Sequence, residues 1–416
     1  MRPLEEVQTE ILGLLGPPQP TRRPLEAAAG AVLAEPVVAT EDVPPFANSA
    51  MDGYALRAGD VAAADDGGPV RLRVVGEVPA GGVPTRPVGA GEAIRIMTGA
   101  PLPPGADAVV MVEQTRPGAA GTVEVWGPVS VGMHIRPAGG DVGAGATVFE
   151  PGTELRPAHL GVLASLGHRD VTVFRPARVG VLSTGDELWE GPGPPPPGRI
   201  RDANRPMLRA LLTETGAEVT DLGRCGDDPT DLQARLAAVA GTLDVVVTSG
   251  GVSVGAHDVV RLALSRLGVL RWWQVAIKPA KPLAVGVLDG TVCVGLPGNP
   301  VSAHVSFELF VRPALRALAG HRQLHRPRLL ATAVADMSRR PDGKVHFDRV
   351  VLEVRDGRLV ARRVWDQASN ALAAMAAAQG LVVLPDGEGV RAGEEVEVLL
   401  LTTPAAGPDA ATPRGG

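Results

Sequence analysis

At 416 residues the chain is too long for one ordinary domain and can fill several hydrophobic cores. Hydrophobic residues make up 45% and charged residues 21%, an ordinary soluble mixture. The formal net charge of −6 argues against nucleic acid as a partner, because such surfaces are usually basic.

In chain order, Val7, Ile11, Leu14 and Leu15 form one helical stripe, and Pro24 is expected to open a second short helix through Ala34. Residues 41–136 change character. Short apolar runs at Val70–Val75, Ala93–Met97, Ala108–Val112 and Thr122–Trp126 are separated by Gly and Pro clusters, so this section reads as β-rich. An apolar helix returns at Pro157–Gly167. The β section is therefore read as an insertion into a helical domain split between residues 1–40 and 137–176.

Residues 177–321 alternate strand and helix. Arg178–Leu182 is a strand, Asn204 is expected to cap a helix ending before Gly216, and Ala217–Leu222 is the next strand. Asp228-Pro229 starts a helix, Leu243–Val247 is a buried strand, and 258–267 is a helix. Strands follow near Trp272–Ile277, Leu283–Val287 and Val292–Leu296, before Asn299-Pro300 opens a long helix towards Ala319. This alternation predicts a doubly wound α/β layer. In 322–402 the pattern turns β again, with a hairpin signal at Asp356-Gly357, and predicts a small barrel or sandwich. The tail 403–416 is Pro, Ala and Gly and is expected to be disordered.

No apolar run is long enough for a membrane span, and residues 1–15 carry charges instead of a signal-peptide core. The two cysteines, Cys225 and Cys293, stand far apart among apolar neighbours, as in a reduced compartment. The expectation is a cytoplasmic protein with no thiolate pair for a soft metal.

The chemistry-bearing segments lie on turns. Thr248-Ser249-Gly250-Gly251-Val252-Ser253-Val254-Gly255 follows a buried strand and precedes a helix. Glycine there lets an anion approach the main chain and the positive helix end, although an ordinary tight turn has the same composition. Asp258 begins that helix, as a cap or as a metal ligand. Ser183-Thr184-Gly185-Asp186-Glu187 would present carboxylates at the carboxyl edge of the sheet, where doubly wound folds bind ligands. Asp228 is read as a plain cap and Asp227 as the better functional candidate. In Lys278-Pro279-Ala280-Lys281-Pro282, prolines fix two lysines on an extended segment, suited to an oxyanion or simply solvated. Leu296-Pro297-Gly298-Asn299-Pro300-Val301-Ser302 leads into a helix whose free N–H groups can meet an anion. The β-rich section adds Asn48–Ala55, Arg95–Pro101, Arg136 and Asp141. Carboxylates suited to Mg²⁺ beside cations suited to phosphate are what phosphoryl chemistry requires.

The ordered set SAMDGYA, RIMTGAP, STGDEL, DDP, TSGGVSVG…D, KPAKP and LPGNPVS resembles the MoeA family of molybdopterin molybdenumtransferases, which includes the gephyrin E domain. The resemblance runs from about residue 1 to 401. It implies a split helical domain with an inserted β domain, an α/β domain like the MoaB/MogA adenylyltransferases, and a C-terminal β-barrel. It implies a homodimer with an active site formed between subunits. The implied reaction inserts molybdate into adenylylated molybdopterin with Mg²⁺-dependent release of AMP. The adenylyltransferase and molybdoenzyme-maturation proteins are the implied partners.

Carried over by position, the functional residues are Asp52, Thr98, Arg136, Asp141, Glu187, Asp227, Asp258, Lys278 and Lys281, with Pro297 and Pro300 shaping a turn. Glu187, Asp227 and Asp258 would hold Mg²⁺. Lys278 and Lys281 would hold molybdate or the pterin phosphate, with Ser249, Gly250, Gly251 and Ser253 in the binding loop. Asp52 and Thr98 would complete the site from the partner subunit, with Arg136 steering the anion. Two positions depart from the pattern: Ala280 stands where a glycine is usual, and Gln274 where a basic residue is frequent. Ser369 lies in a segment only loosely similar to the family. The alternatives are a molybdopterin adenylyltransferase and a cofactor-binding scaffold without turnover.

Overall fold

Helix α1 (Leu4–Leu12) buries Val7 and Ile11 of the stripe read from the sequence, together with Leu4, while Leu14 and Leu15 lie past its end and pack half-buried against the same core. The second helix expected up to Ala34 does not form. In the computed structural model, which describes residues 1–65, 68–119, 121–252 and 258–403, Pro20–Pro24 is extended and Leu25–Ala27 makes a single 3-10 turn. Leu25, Val32 and Leu33 are too few apolar side chains to hold a helix of that length by packing. Ser253 and residues 404–416 of the tail lie outside the described residues.

The chain forms two compact bodies, one of Met1–Arg22, Gly30–Ala34 and Thr172–Gly416, the other of Arg23–Ala29 and Glu35–Val171. The second contains a six-stranded sheet of β1 (Gly53–Leu56), β2 (Val70–Val78), β3 (Glu92–Ile96), β4 (Ala108–Met111), β5 (Thr115–Pro117) and β6 (Thr122–Val125), ordered β4-β1-β3-β2-β6-β5. Its alternating side chains fill two cores. Leu56, Leu72, Val110 and Val123 belong to one, and Ala55, Ile94, Ile96 and Val109 to the other. Helix α2 (Pro157–Ser165) opens with Pro157 in its first turn and belongs to the same body.

The first body holds the doubly wound sheet. Its elements are β7 (Arg178–Thr184), α3 (Asn204–Glu214), β8 (Glu218–Cys225), α4 (Pro229–Val239), β9 (Val245–Ser249), α5 (Val259–Arg266) and β10 (Arg271–Gln274). They are followed by β11 (Ile277–Lys278), β12 (Pro282–Leu288), β13 (Thr291–Leu296) and a continuous helical stretch of α6 (Pro300–Ser306), one π-turn (Phe307–Val311) and α7 (Arg312–Leu318). The sheet order is β8-β7-β9-β13-β12-β10. Strands β7, β8, β9 and β13 pair in parallel, and β12 and β10 extend the sheet antiparallel. Val179, Val181, Val245 and Val247 face α1, α3 and α6 in one core, while Leu182 and Val246 face α4 and α5 in the other. Burial on both faces explains why these strands read as unbroken apolar runs. Cys225 and Cys293 are free and buried, as expected from their neighbours.

After α7 comes a closed barrel of five strands: β14 (Arg328–Ala333), β15 (Val345–Arg355), β16 (Arg358–Arg363), β17 (Gly380–Leu384) and β18 (Glu395–Leu400). Closure comes from β17 pairing with both β15 and β18. The predicted hairpin joins β15 to β16, with Asp356 and Gly357 both at positive φ as a type I′ turn requires. Val350, Leu352, Val382 and Val398 fill the barrel, while Phe347 and Val383 point the other way and join the α/β core. Strand β11 leaves the α/β layer and pairs in parallel with β15, Lys278 opposite His346.

Candidate active site

The carboxyl ends of β7 and β9 lie side by side, Ser183 in register with Ser249, at the point where the sheet order reverses. Loops there diverge and leave a crevice. Asn204 holds it together. Its Nδ2 donates to Ser249 Oγ and to the Gly298 carbonyl, each at 2.7 Å, so one buried amide ties the end of β9 to the turn before α6. The sequence suggested a helix cap at this position. Instead Asn204 is the first helical residue, and it reaches across two loops. Gly250 has φ +97, and a Cβ there would sit 2.6 Å from the Thr184 carbonyl, so the close approach demands glycine. Gly251 also has positive φ. The resulting cavity of about 280 Å³ is lined by Ser183, Glu187, Asn204, Ser249, Gly250 and Pro300, among others. Buried Pro297 leads into the turn above it.

The carboxylates at this edge are arranged in part. Asp186 and Asp227 exchange contacts, each backbone N–H donating to the other's carboxylate at 3.2 and 3.4 Å. Asp228 caps α4 through Thr230 N, as expected. Asp258 caps α5 through Arg261 N at 3.4 Å, while its Oδ2 is buried with no hydrogen-bond partner among the described residues. Burial, with a smaller push from the Asp227 charge, raises the Asp258 pKa to about 6 against the pull of Arg261. The capping reading of Asp258 therefore holds for one oxygen, while the other makes no bond among the described residues. Exposed Glu187 stands on the cavity wall, and among the described residues no group of three acidic, His or Cys side chains is assembled to hold a metal.

A second cavity, about 710 Å³, lies where Lys278 and α6 meet the mouth of the barrel. Lys278, Ser302, Arg339, His346, Arg363 and Ser369 are on its wall, and Lys281 is not among its lining residues. Arg363 pairs with Asp348 at 2.5 Å, and Arg339 with Asp342 and Asp386 at 2.8 and 2.9 Å. Lys278 and Arg340 are the wall cations left outside ion pairs among the described residues. Ala280, buried between the two lysines, has φ +80, the conformation its usual glycine would adopt without strain. Gln274 pairs with Pro282 across β10 and β12. Ser369, weakly marked in the sequence, is brought to the start of α6, where its Oγ accepts from Asn299 Nδ2 at 3.0 Å and its carbonyl from Val301 N. Since Asn299 lines the smaller cavity and Ser369 the larger, this one bond joins their walls.

The remaining candidates lie in the other body. Thr98 donates its N–H and its hydroxyl to the same oxygen of Asp52, both at 2.7 Å. These two bonds, with the Arg95 charge, hold the exposed Asp52 carboxyl below its ordinary pKa. Ser49 laces the segments together. Its carbonyl accepts from Gly99 N, its N–H donates to Ala100, and its neighbour Asn48 is in register with Arg136. Arg136 and Asp141 are both exposed. Tyr54, the chain's only tyrosine, packs on a core. Sequence reasoning missed Asn204 as a site residue, and also Asp202, whose carboxylate takes the Ser183 hydroxyl.

A polar cavity at the switch point of a doubly wound sheet, walled with a cationic cleft, defines a multidomain α/β enzyme for an anionic ligand. Residues 2–167 match the family described as MoeA N-terminal region (domain I and II), 180–317 the probable molybdopterin binding domain, and 332–401 the MoeA C-terminal region (domain IV). The chain is 40% identical to molybdopterin molybdenumtransferase 2 of Mycobacterium tuberculosis over 97% of its length and 100% of the relative. It is 37% identical to the molybdopterin molybdenumtransferase of Haemophilus influenzae, over 96% and 98%. The crystal structure of the molybdopterin biosynthesis MoeA protein of Pyrococcus horikoshii superposes with a TM-score of 0.82 at 31% identity, covering 96% of this chain and all of that one. The chain belongs to the MoeA family of molybdopterin molybdenumtransferases.

Proposed function

We infer that this chain is an enzyme of molybdenum cofactor biosynthesis that inserts molybdenum into molybdopterin. The observation that carries the reading is the Asn299–Ser369 bond between the two cavities, because a ligand anchored in one has its far end at the wall of the other. The adenylyltransferase alternative is not favoured, since the relatives matched along their full length bear the molybdenumtransferase name.

The substrate is adenylylated molybdopterin, its phosphates set against the Gly250–Gly251 turn. Molybdate, a tetrahedral dianion, takes the cationic cleft, where Lys278 and Arg340 supply charge and Ser302 and Ser369 supply hydroxyls. For Mg²⁺ the acidic edge supplies hard oxygen donors, although they do not stand as an assembled three-ligand cluster among the described residues. Asp258 offers a buried oxygen without a partner among the described residues, and the Asp227 carboxylate is close enough for its charge to push the Asp258 pKa up. Asp258, Asp227 and Glu187 would hold the ion, which when bound neutralises charge developing on the phosphoanhydride as AMP leaves. Asp52, kept ionised by Thr98, is fitted to accept a proton or orient a water. In a homodimer it would act on the partner's substrate, with Arg136 and Asp141 contributing from the same body.

The test is AMP release from adenylylated molybdopterin with Mg²⁺, with and without molybdate. Molybdate-dependent release is expected. Binding without release by the folded protein would favour a scaffold.

A further inference from the structure

His346 is buried, on the same face of β15 as Asp348, and stands in the wall of the cationic cleft. Its Nε2 lies 3.2 Å from both oxygens of Asp342. Asp342 also accepts from Lys344 Nζ at 2.7 Å and Arg339 Nη2 at 2.8 Å. The charged groups around the ring are thus Asp342 and Lys344 before and at the start of β15, and Lys278 from β11. Arg339 lies three residues ahead of Asp342 on the same connection, anchored also by Asp386, with Arg340 beside it, and the Asp348–Arg363 pair is also on the wall. Burial, Arg339 and Lys278 disfavour the imidazolium more than Asp342 favours it, so the ring is held below its ordinary pKa.

We propose that His346 takes up a proton when a tetrahedral oxoanion enters the cleft, so that Asp342 and His346 couple oxoanion capture to pH. This rests on the cleft being the molybdate site. A dianion against Lys278 adds two negative charges beside a ring that burial, and then the wall's cations, hold below its ordinary pKa, and it shifts the balance towards the imidazolium. The coupling is reciprocal. A proton on His346 strengthens anion binding by the same factor that the anion strengthens proton binding. Molybdate capture then weakens as pH rises, although molybdate itself stays a dianion.

The experiment is calorimetry of the full chain with molybdate, and with sulfate as a tetrahedral dianion carrying no metal, in two buffers of different ionisation enthalpy. Wild type is expected to take up a substantial fraction of one proton near neutral pH. Its Kd should rise with pH, by at most about tenfold per unit for one linked proton. His346→Gln should bind without proton uptake and with a flat profile. If that variant fails to fold, Asp342→Asn, which removes the group favouring the imidazolium, should move the fall in affinity to lower pH. A wild-type slope retained in His346→Gln, or no proton uptake by wild type, overturns the proposal. Absence of anion binding by folded wild type at any pH overturns the reading of the cleft beneath it.

Discussion

Asp52 and Thr98 form a closed two-bond unit in which one carboxylate oxygen receives both the N–H and the hydroxyl of the same threonine. Thr98→Val keeps the N–H and removes the hydroxyl, the larger cause of the lowered Asp52 pKa. The carboxyl should then ionise at higher pH, moving the acid limb of the rate profile upwards. Activity at neutral pH should fall by about tenfold or more, as for a positioned acid–base group. Melting temperature should hardly move, since both residues are exposed. A pH–rate profile beside a melting curve checks this.

The buried Asp258 carboxyl costs stability once it ionises. Its carboxyl is raised to about 6 in the fold, so between its unfolded value and about 6 the native state binds more protons than the unfolded one. The contribution is therefore largest in acid and is lost as pH rises towards 6. Asp258→Asn retains the capping oxygen and removes the buried charge. It should stabilise the protein at neutral pH by roughly 1–3 kcal/mol, flatten the pH dependence and abolish Mg²⁺-dependent turnover. Denaturant unfolding at pH 5 and pH 8 reads the first two effects.

Asn204→Ala deletes both 2.7 Å bonds and leaves Ser249 and the Gly298 carbonyl to find other partners. A loss of about 1–3 kcal/mol is expected for unmade buried hydrogen bonds. KM for the pterin substrate should rise as well, because the Gly-rich turn and the turn before α6 lose their shared tether. Urea unfolding and steady-state kinetics on the same preparation separate the two effects.

Ala280→Gly should stabilise, or at worst be neutral. An L-residue at φ +80 carries roughly 1–2 kcal/mol of strain, offset in part by glycine's greater unfolded-state entropy of about 0.5–1 kcal/mol. A rise of a few degrees in melting temperature, with KM for molybdate unchanged, is the expected result.

Much of this was legible in the sequence because its signals are local. Unbroken valine runs marked strands covered on both faces, and Asp356-Gly357 marked a hairpin by the φ values it must adopt. Asn204 was misread because asparagine before a helical run is ordinarily a cap, and nothing local reveals that Ser249 and Gly298 lie within its reach. His346 gave no signal at all. Its place depends on strand β11 arriving next to β15, a pairing between segments far apart in the chain. The helix expected before Ala34 does not form because Pro24 favours a first turn but cannot supply the packing a longer helix needs.

Lys278 belongs by chain order to the α/β domain, yet its strand pairs with the barrel. The two folds therefore do not divide the labour as separable parts, since one supplies the lysine and the other aims it. A fragment cut near Gly320 would keep almost the whole lining of the smaller cavity while losing the neighbour that sets the lysine's direction. Conversely, exchanging the barrel for that of a relative would redraw the anion cleft and leave the α/β sheet strands as they are. With the cleft as the proposed oxoanion site, oxoanion preference in this architecture would change by domain exchange, without a single substitution in the sheet.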